Sequence, residues 1–127
     1  IVSLNPCTDA ILAEVADPDQ MLAISHYSQD PRATSMDLAV AKRYRVTDGT
    51  VEEILQLKPD IVVASRFLPP AAHNGLRDLG IRVETFDIAS TVQDNAAQVH
   101  RLAALAGYPE RGERLVQRID SALAKLG

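Results

Sequence analysis

Short β-rich runs alternate with longer helical segments along this chain. The apolar and β-branched runs predict five strands, at residues 1–4, 20–25, 45–47, 60–65 and 81–86. The fourth run, which reads Ile-Val-Val-Ala after Asp60, is apolar without alternation. A strand of this kind is typically covered on both faces, as in a parallel sheet with helices on either side.

Apolar residues spaced three or four apart predict the helices between these strands. The helices are expected at residues 7–16, 35–42, 50–58, 71–79, 91–106 and 110–126. In the first helix, Cys7, Ile11 and Val15 form the expected buried stripe. A capping box is expected at residue 50, where the Thr50 hydroxyl accepts from the Glu53 amide and the Glu53 carboxylate reaches back to the Thr50 amide.

Strands that alternate with helices imply right-handed βαβ units and a parallel sheet. The predicted fold class is therefore α/β, a Rossmann-like lobe in which helices cover both faces of a parallel sheet in three αβα layers. In such sheets the ligand lies beyond the carboxyl ends of the strands. The segments in which to look for function therefore follow the strands, at residues 5–8, 26–32, 47–49, 66–70 and 87–90.

Length, charge and cysteine content narrow the classes of function. A chain of 127 residues makes one domain, and its formal net charge of −4 argues against a nucleic-acid partner, which a basic face would attract. No apolar run approaches the ~20 residues needed to cross a bilayer, and the opening residues lack the regions of a signal peptide. The single cysteine, Cys7, excludes an internal disulfide and a cysteine-cluster metal site.

The sequence predicts no nucleotide, metal or cofactor site. It contains neither G-x-G-x-x-G nor G-x-x-x-x-G-K-[ST]. The turn at residues 5–8 has no glycine that would let the backbone approach a pyrophosphate. The histidines, His26, His73 and His100, do not show the spacing of metal ligands.

An enzyme based on a thiol is the alternative hypothesis. Cys7 begins a helix, where the macrodipole lowers a thiol pKa, and His26 follows a neighbouring strand, so a Cys7–His26 pair is geometrically possible. The simpler interpretation, a small buried cysteine and an ordinary loop histidine, is favoured because free cysteines are usually packing residues. A signalling receiver domain is disfavoured, since Asp60 stands at the start of its strand rather than at the end.

Two strand-end loops carry groups that suit a bound ligand. Residues 25–32 are dense in hydrogen-bonding side chains, and Arg66 places a guanidinium beside the aromatic ring of Phe67. Together they suit a polar, multi-oxygen or ring-bearing ligand that is bound rather than transformed. The competing interpretation is an exposed surface loop and an ordinary surface arginine.

Four short motifs in order identify a family resemblance. The chain opens with IVSLNPCTD, similar to the pattern SLxPxxTE, and continues with LAIS at 22–25 followed by Tyr-Ser and Asp-Pro. EEILQLKPDIVV at 52–63 and LGIRV at 79–83 follow, and then two long helices. In these motifs the chain resembles the periplasmic substrate-binding proteins of ABC importers for cobalamin, ferric siderophores and haem.

The resemblance implies a non-enzymatic, periplasmic protein of two lobes joined by a long helix, with a metal chelate held between them and delivered to an ABC permease in the inner membrane. Residues 1–109 then correspond to the amino-terminal lobe and residues 110–127 to the start of the interlobe linker helix, with the carboxy-terminal lobe absent. The family's ligand-facing positions map to Asn5, Pro6, Cys7, His26, Tyr27, Ser28, Arg66 and Phe67, with Asp48 and Asp87 as further candidates.

Three departures from the family pattern bear on these expectations. The first motif ends in Asp9 instead of glutamate. Residues 67–74 lack the acidic residue with which family members often pair an arginine of the permease. Tryptophan is absent, so stacking on a corrin ring rests on Tyr27 and Phe67, which places ferric siderophores ahead of cobalamin.

Overall fold

The computed structural model describes residues 1–32, 34, 36–87 and 89–126. Five strands are present in these ranges: β1 Val2–Ser3, β2 Ile24–Ser25, β3 Val46–Thr47, β4 Ile61–Ser65 and β5 Arg82–Phe86. The α-helices are α1 Pro6–Val15, α2 Leu38–Ala41, α3 Val51–Leu57, α4 Pro70–Asp78, α5 Val92–Ala106 and α6 Pro109–Leu126. Two 3₁₀ helices, Pro18–Gln20 and His26–Gln29, stand before and after β2.

All strand pairs run parallel. β4 pairs with β1 on one side and with β5 on the other, and β2 pairs with β3. A parallel bridge between Val2 and Ala23 connects the two groups of strands, and the Ser3 amide donates to the Ala23 carbonyl at 3.1 Å. The order across the protein is therefore β3-β2-β1-β4-β5, and the winding reverses between β1 and β4. In α/β sheets such a switch point is where ligands bind.

Helices cover both faces of the sheet, because successive strand residues point to opposite faces. Val62 faces a core with Ile54 of α3 and Leu76 of α4. Its neighbour Val63 faces the other core, which includes Leu102 of α5 and residues of α1. The predicted three-layer αβα lobe is confirmed.

The buried face of α1 differs from the expected stripe. Cys7 is exposed, whereas Thr8, Leu12 and Val15 are buried. The helix begins at Pro6, and the spacing of four and then three between the buried residues defines the face that meets the sheet. The interpretation of Cys7 as a buried packing residue is therefore wrong.

The segment around β2 contains more short helix and less strand than expected. Residues 18–20 form a 3₁₀ helix, which Pro18 starts, instead of the beginning of a strand. Residues 26–29, predicted as loop, form the second 3₁₀ helix. The helix expected from residue 35 begins at Leu38, after a cap by Asp37. Ala33 and Ser35, at the edges of these predictions, lie outside the described residues, as does Ile88 in the segment 87–90.

Only half of the expected capping box forms at α3. The Glu53 amide donates to the Thr50 hydroxyl at 3.3 Å, as predicted. The Glu53 carboxylate instead accepts from the Asp48 amide at 3.3 Å, and the Thr50 amide donates to Oδ1 of Asp48 at 3.0 Å. Asp48, instead of Glu53, therefore accepts the hydrogen bond from the Thr50 amide. This happens because an aspartate two residues before an amide closes a compact turn.

The last helix, α6, packs on the rest of the protein through its first half. Gly112 is buried against Ala103 of α5, and Leu115 packs on the core, as expected. Before the helix, the Tyr108 hydroxyl donates to Oδ2 of Asp17 at 2.5 Å. Residues 120–125 are exposed. The side chain of Leu126 and all of Gly127 lie outside the described part, and the assignment of 110–127 as a linker helix stays a prediction.

Candidate functional site

A cavity of about 310 Å³ opens where β4 and β5 end and α1 begins. It lies at the switch point of the sheet, between α1 and α5. Its lining comes from these helices and from the strand ends: Asn5, Cys7, Thr8, Ala10, Ile11, Ser65, Phe86, Asp87, Ala89, Asn95 and Gln98. Three residues predicted from the sequence, Asn5, Cys7 and Asp87, thus line one cavity.

The turn after β1 places Asn5 and Cys7 on the cavity wall. Oδ1 of Asn5 accepts a hydrogen bond from the Cys7 amide at 2.7 Å, which caps α1. Pro6 occupies the first position of the helix, where its missing N–H leaves no acceptor unpaired. The cap therefore fixes the backbone and leaves the Cys7 thiol exposed at the mouth of the cavity.

The ends of β4 and β5 bring Arg66, Phe67 and Asp87 together. Nε of Arg66 lies 3.5 Å from Oδ1 of Asp87, and its guanidinium carbon lies 4.9 Å from the centre of the Phe67 ring. The Phe67 side chain is 64% exposed. A long, exposed ion pair of this kind contributes little and leaves the guanidinium free to pair with a ligand. Arg66 and Phe67 do not line the cavity but lie beside it, next to Asp87 and Ser65. We call Asn5, Cys7, Arg66, Phe67 and Asp87 the cavity group.

A second group lies at the ends of the neighbouring strands β2 and β3. The ring centroids of His26 and Tyr27 lie 4.1 Å apart, and Nδ1 of His26 lies 3.2 Å from the Thr47 carbonyl oxygen. The Tyr27 side chain is 52% exposed. Hydrogen bonds from the amide and hydroxyl of Thr50 hold the pKa of Asp48 below its usual range. We call His26, Tyr27 and Asp48 the edge group.

Ser28, which the sequence predicts to face the ligand, is fully buried. Its hydroxyl donates to Oδ2 of Asp9 at 2.6 Å, and the Ser25 amide donates to the same oxygen at 2.9 Å. Ser28 therefore supports the edge group from inside the protein, and its side chain is not exposed to a ligand.

Asp9 is itself fully buried, and burial raises its pKa to about 7. Hydrogen bonds from Ser28 and from the Ser25 amide work against this rise, as does the nearby Ser3 hydroxyl. That hydroxyl makes its well-formed bond with Thr8 at 2.8 Å, and Oδ1 of Asp9 has no hydrogen-bond partner among the residues that the structure describes. Loss of solvation thus outweighs the hydrogen bonds, which favours the neutral carboxyl group.

Sequence reasoning missed several residues of the site. The sequence places Ser65 at the end of a strand, and in the structure Ser65 also lines the cavity, where its hydroxyl accepts from the Phe67 amide at 3.2 Å. Asn95 and Gln98 line the cavity from α5, and the Gln98 amide group donates to the Asp87 carbonyl. The sequence signal that could have identified Asn95 and Gln98 is their spacing: they are two polar residues, three apart, near the start of an otherwise apolar helix face.

The Cys7–His26 pair proposed as the thiol alternative is not joined by a hydrogen bond in the structure. The His26 ring contacts Tyr27 and the Thr47 carbonyl, whereas Cys7 lines the cavity. Across the described ranges, no three His, Cys, Asp or Glu side chains come together as a metal site would require. No helix within those ranges is long and apolar enough to cross a membrane.

A wider groove of about 900 Å³ runs along α6 and the end of α1. Its lining is largely charged and includes Arg114 and the Arg118–Glu14 ion pair at 3.1 Å. Because the end of α1 lies at the amino edge of the parallel sheet, this groove is remote from the strand ends that carry the two groups. The smaller cavity is therefore the candidate site.

Comparison with known proteins decides the family. A family model for periplasmic binding proteins matches residues 1–127. The chain belongs to the periplasmic binding protein family. Among curated relatives, it is 27% identical to a vitamin B12-binding protein of Pectobacterium carotovorum over 127 residues, 99% of this chain and 45% of the relative.

Solved structures of family members share the fold. A periplasmic vitamin B12-binding protein of Vibrio cholerae superposes with a TM-score of 0.73 at 26% identity, over 98% of this chain and 48% of the other. A periplasmic haem-binding protein of Pseudomonas aeruginosa superposes with a TM-score of 0.79 at 20% identity, over 98% and 44%. The binding-protein chain described here thus spans about half the length of the relatives that it matches.

Proposed function

We propose that this chain supplies one half of the binding cleft of an ABC-importer substrate-binding protein that captures a metal chelate. The observation that carries the proposal is the cavity at the switch point, with the cavity group and the edge group on the same edge of the sheet. A cavity of about 310 Å³ lies at the lower limit for small-molecule sites, as half of a larger cleft would. A second lobe would supply the remaining contacts, and the chelate would pass from this cleft to a permease.

The exposed side chains suit a ligand with flat rings and anionic oxygens. Tyr27 and Phe67 are exposed aromatic side chains that follow β2 and β4, with β1 between these strands. Arg66 can exchange its weak partner, Asp87, for a ligand carboxylate or phenolate in a two-pronged pairing. Cobalamin, haem and ferric siderophores all combine a bound metal with rings or oxygen donors, and the names of the relatives place the first two among the first probes.

Calorimetric titration of the protein as its gene encodes it tests the proposal. The probes are cyanocobalamin, haemin and a ferric hydroxamate siderophore. We expect at least one to bind with a Kd of about 1 μM or tighter, the affinity of about −8 kcal/mol that a closed two-lobed cleft can supply. Absence of binding by all three would overturn the proposal.

Phe67→Ala and Leu79→Ala form a matched pair for the same titration. Both remove an exposed apolar side chain, with exposed fractions of 64% and 59%. Leu79 ends α4 at the opposite, amino edge of the sheet. Phe67→Ala should weaken binding about tenfold, the loss of ~1.4 kcal/mol expected of an aromatic contact, and Leu79→Ala should leave Kd unchanged. Equal effects of the two substitutions would place the ligand elsewhere.

The proposed second lobe gives a further prediction. The 127-residue chain alone should bind the same probe at least about tenfold more weakly than the longer protein, because closure of a second lobe contributes contacts and excludes water. Titration of the two proteins side by side measures the difference. Equal affinity would show that the cleft is complete within these residues.

A further inference from the structure

Asp9 connects the two groups of the candidate site. It lies in the first turn of α1, directly after the capped turn that places Asn5 and Cys7 on the cavity wall. From there its Oδ2 accepts two hydrogen bonds from the segment that carries the edge group, at 2.9 Å from the Ser25 amide and at 2.6 Å from the Ser28 hydroxyl. One buried carboxyl group therefore spans the distance between the turn after β1 and the turn after β2.

The Ser25 amide needs this acceptor because the sheet no longer provides one. The preceding amide of Ile24 donates towards β3, to the Arg45 carbonyl at 2.9 Å. Successive amides on a strand point to opposite sides, so the Ser25 amide points towards β1, which ends at Ser3. A buried amide without a partner is strongly disfavoured, and Asp9 replaces the missing strand.

Hydrogen bonds at both ends of the 3₁₀ turn His26–Gln29, and a contact of the His26 ring with the Thr47 carbonyl, also hold the turn. The Ser25 hydroxyl accepts from the Tyr27 amide at 3.2 Å, so the residue held by Asp9 also caps the turn. At its far end the Gln29 side-chain amide donates to the Ala41 carbonyl at 3.1 Å. Between these ends, the Ser28 hydroxyl makes a fully buried hydrogen bond at 2.6 Å, and Asp9 accepts it.

We propose that Asp9 is a positioning residue, which holds the His26–Gln29 turn so that His26 and Tyr27 face the same ligand as the cavity group. The part of this inference that concerns a ligand rests on the proposed function. The part that concerns the turn does not, because it can be measured in the protein without ligand.

Amide hydrogen exchange, measured by NMR on the protein as its gene encodes it, tests whether Asp9 holds the turn in place. Asp9→Ala removes both hydrogen bonds, and Ser28→Ala removes the shorter one in case the first variant does not fold. Asp9→Asn keeps an oxygen acceptor on a side chain of the same shape. Leu12→Ala is the matched control, because Leu12 is buried one turn further along α1 in the apolar core.

In Asp9→Ala or Ser28→Ala, the exchange rate of the amides of residues 25–29, divided by that of the Val63 amide in the core, should rise about tenfold or more. Such a rise means that the turn opens without the core. Asp9→Asn should restore most of the protection. Leu12→Ala should speed amide exchange in the turn and in the core by similar factors, because it lowers the stability of the whole domain. If Asp9→Ala and Ser28→Ala leave the ratio of turn to core exchange unchanged, or if Asp9→Asn rescues nothing, Asp9 does not position the turn.

Titration with cyanocobalamin and haemin then tests the consequence for binding. If the wild type binds a probe, Ser28→Ala should weaken it by about threefold or more, and Asp9→Asn should stay closer to wild type than Asp9→Ala does. Unchanged affinity together with faster exchange of the turn would overturn the positioning for ligand. If the wild type binds neither probe nor a siderophore, the proposed function fails, and the exchange ratios still decide whether Asp9 holds the turn.

Discussion

Two carboxyl groups near strand ends, those of Asp9 and Asp48, respond to opposite surroundings. Asp48 is exposed, and the hydrogen bonds from Thr50 lower its pKa by stabilising the charged form. Asp9 is fully buried, and the loss of water raises its pKa to about 7. At neutral pH only one of the two is therefore fully charged, although the residue types are identical.

The raised pKa of Asp9 predicts that it lowers stability as pH rises. The folded protein keeps a proton on Asp9 up to pH about 7, whereas the unfolded chain releases it near the ordinary value of 3.8. The native state therefore binds more protons between these pH values, and the free energy of unfolding should fall with rising pH, by on the order of 1 kcal/mol per pH unit at most. Asp9→Asn should remove this component. Urea unfolding at pH values from about 4 to about 8 measures the difference between variant and wild type.

Asp48→Asn is the matched control for this experiment. The pKa of Asp48 is lowered, so its contribution to stability is present above the ordinary value of 3.8 and is lost only as pH falls below it. Between pH about 5 and about 8, Asp48→Asn should therefore leave the slope as in wild type. An identical slope in wild type and Asp9→Asn would contradict the raised pKa.

The sequence predicted the strand-end residues better than their roles. Asn5, Arg66 and Phe67 lie where a parallel sheet places them, because the edge is set by strand direction alone. Ser28 and Asp9 were not predicted to be buried partners. Their contact joins residues from two separate segments, and neither the composition nor the periodicity of one segment contains that information.

At the scale of elements, the crossing of α5 and α6 depends on one glycine. Gly112 is buried in α6, and a Cβ atom added there would lie 2.5 Å from Cβ of Ala103 and 3.2 Å from the Val99 carbonyl oxygen. Both neighbours belong to the packed core or to the backbone of α5, so neither can move without shifting the helix. Glycine is accepted inside α6 because it lets the two helices approach closely.

Gly112→Ala should therefore lower the free energy of unfolding, by about 1–3 kcal/mol, although alanine is the better helix former. Gly75→Ala is the matched control in the interior of α4, where nothing lies within 4 Å of the added Cβ. It should raise stability by about 0.5–1 kcal/mol through the lower entropy of the unfolded chain. Urea unfolding of both variants measures the two effects, and the same sign for both would contradict the close packing.

Helices were predicted well and strands less well, for a physical reason. A helix of fifteen residues such as α5 repeats its pattern several times, and Thr91 and Gly107 mark its ends. Strands of two residues, such as β1 and β2, are too short to show a pattern of their own. Their pairing with neighbours defines them, and the 3₁₀ helices beside β2 show how a short apolar run divides between elements.

At the scale of the whole molecule, the candidate site lies on one edge of a sheet whose two faces are covered by helices. α1, α5 and α6 cover one face, and α3 and α4 cover the other. The faces are therefore occupied by packing, and the cavity lies at the carboxyl edge, beyond the ends of β4 and β5. The predicted α/β fold already indicated this edge, but the size of the cavity and its division into two groups depend on side-chain packing.

Ligand binding should protect this edge alone. On addition of whichever of cyanocobalamin or haemin binds, deuterium uptake should fall at residues 5–11, 26–30 and 65–68. Uptake should stay unchanged at residues 16–22 and 76–81, at the opposite edge, because a ligand held at the switch point contacts only the carboxyl ends of the strands. Hydrogen exchange with mass spectrometry measures both sets of peptides. Protection at the amino edge, or along the α6 groove, would place the ligand elsewhere.

The central place of β1 in the sheet also affects how the chain assembles. β1 contacts β2 early, through the bridge from Val2 to Ala23, but its other neighbour is β4, where Val2 pairs with Val62. That pairing closes a loop of about sixty residues, a non-local contact of the kind that slows folding. During synthesis on the ribosome, one edge of β1 therefore stays unpaired until β4 has emerged. We expect a chaperone to bind the nascent chain at this unpaired edge. A second nascent chain could also pair with the edge wrongly.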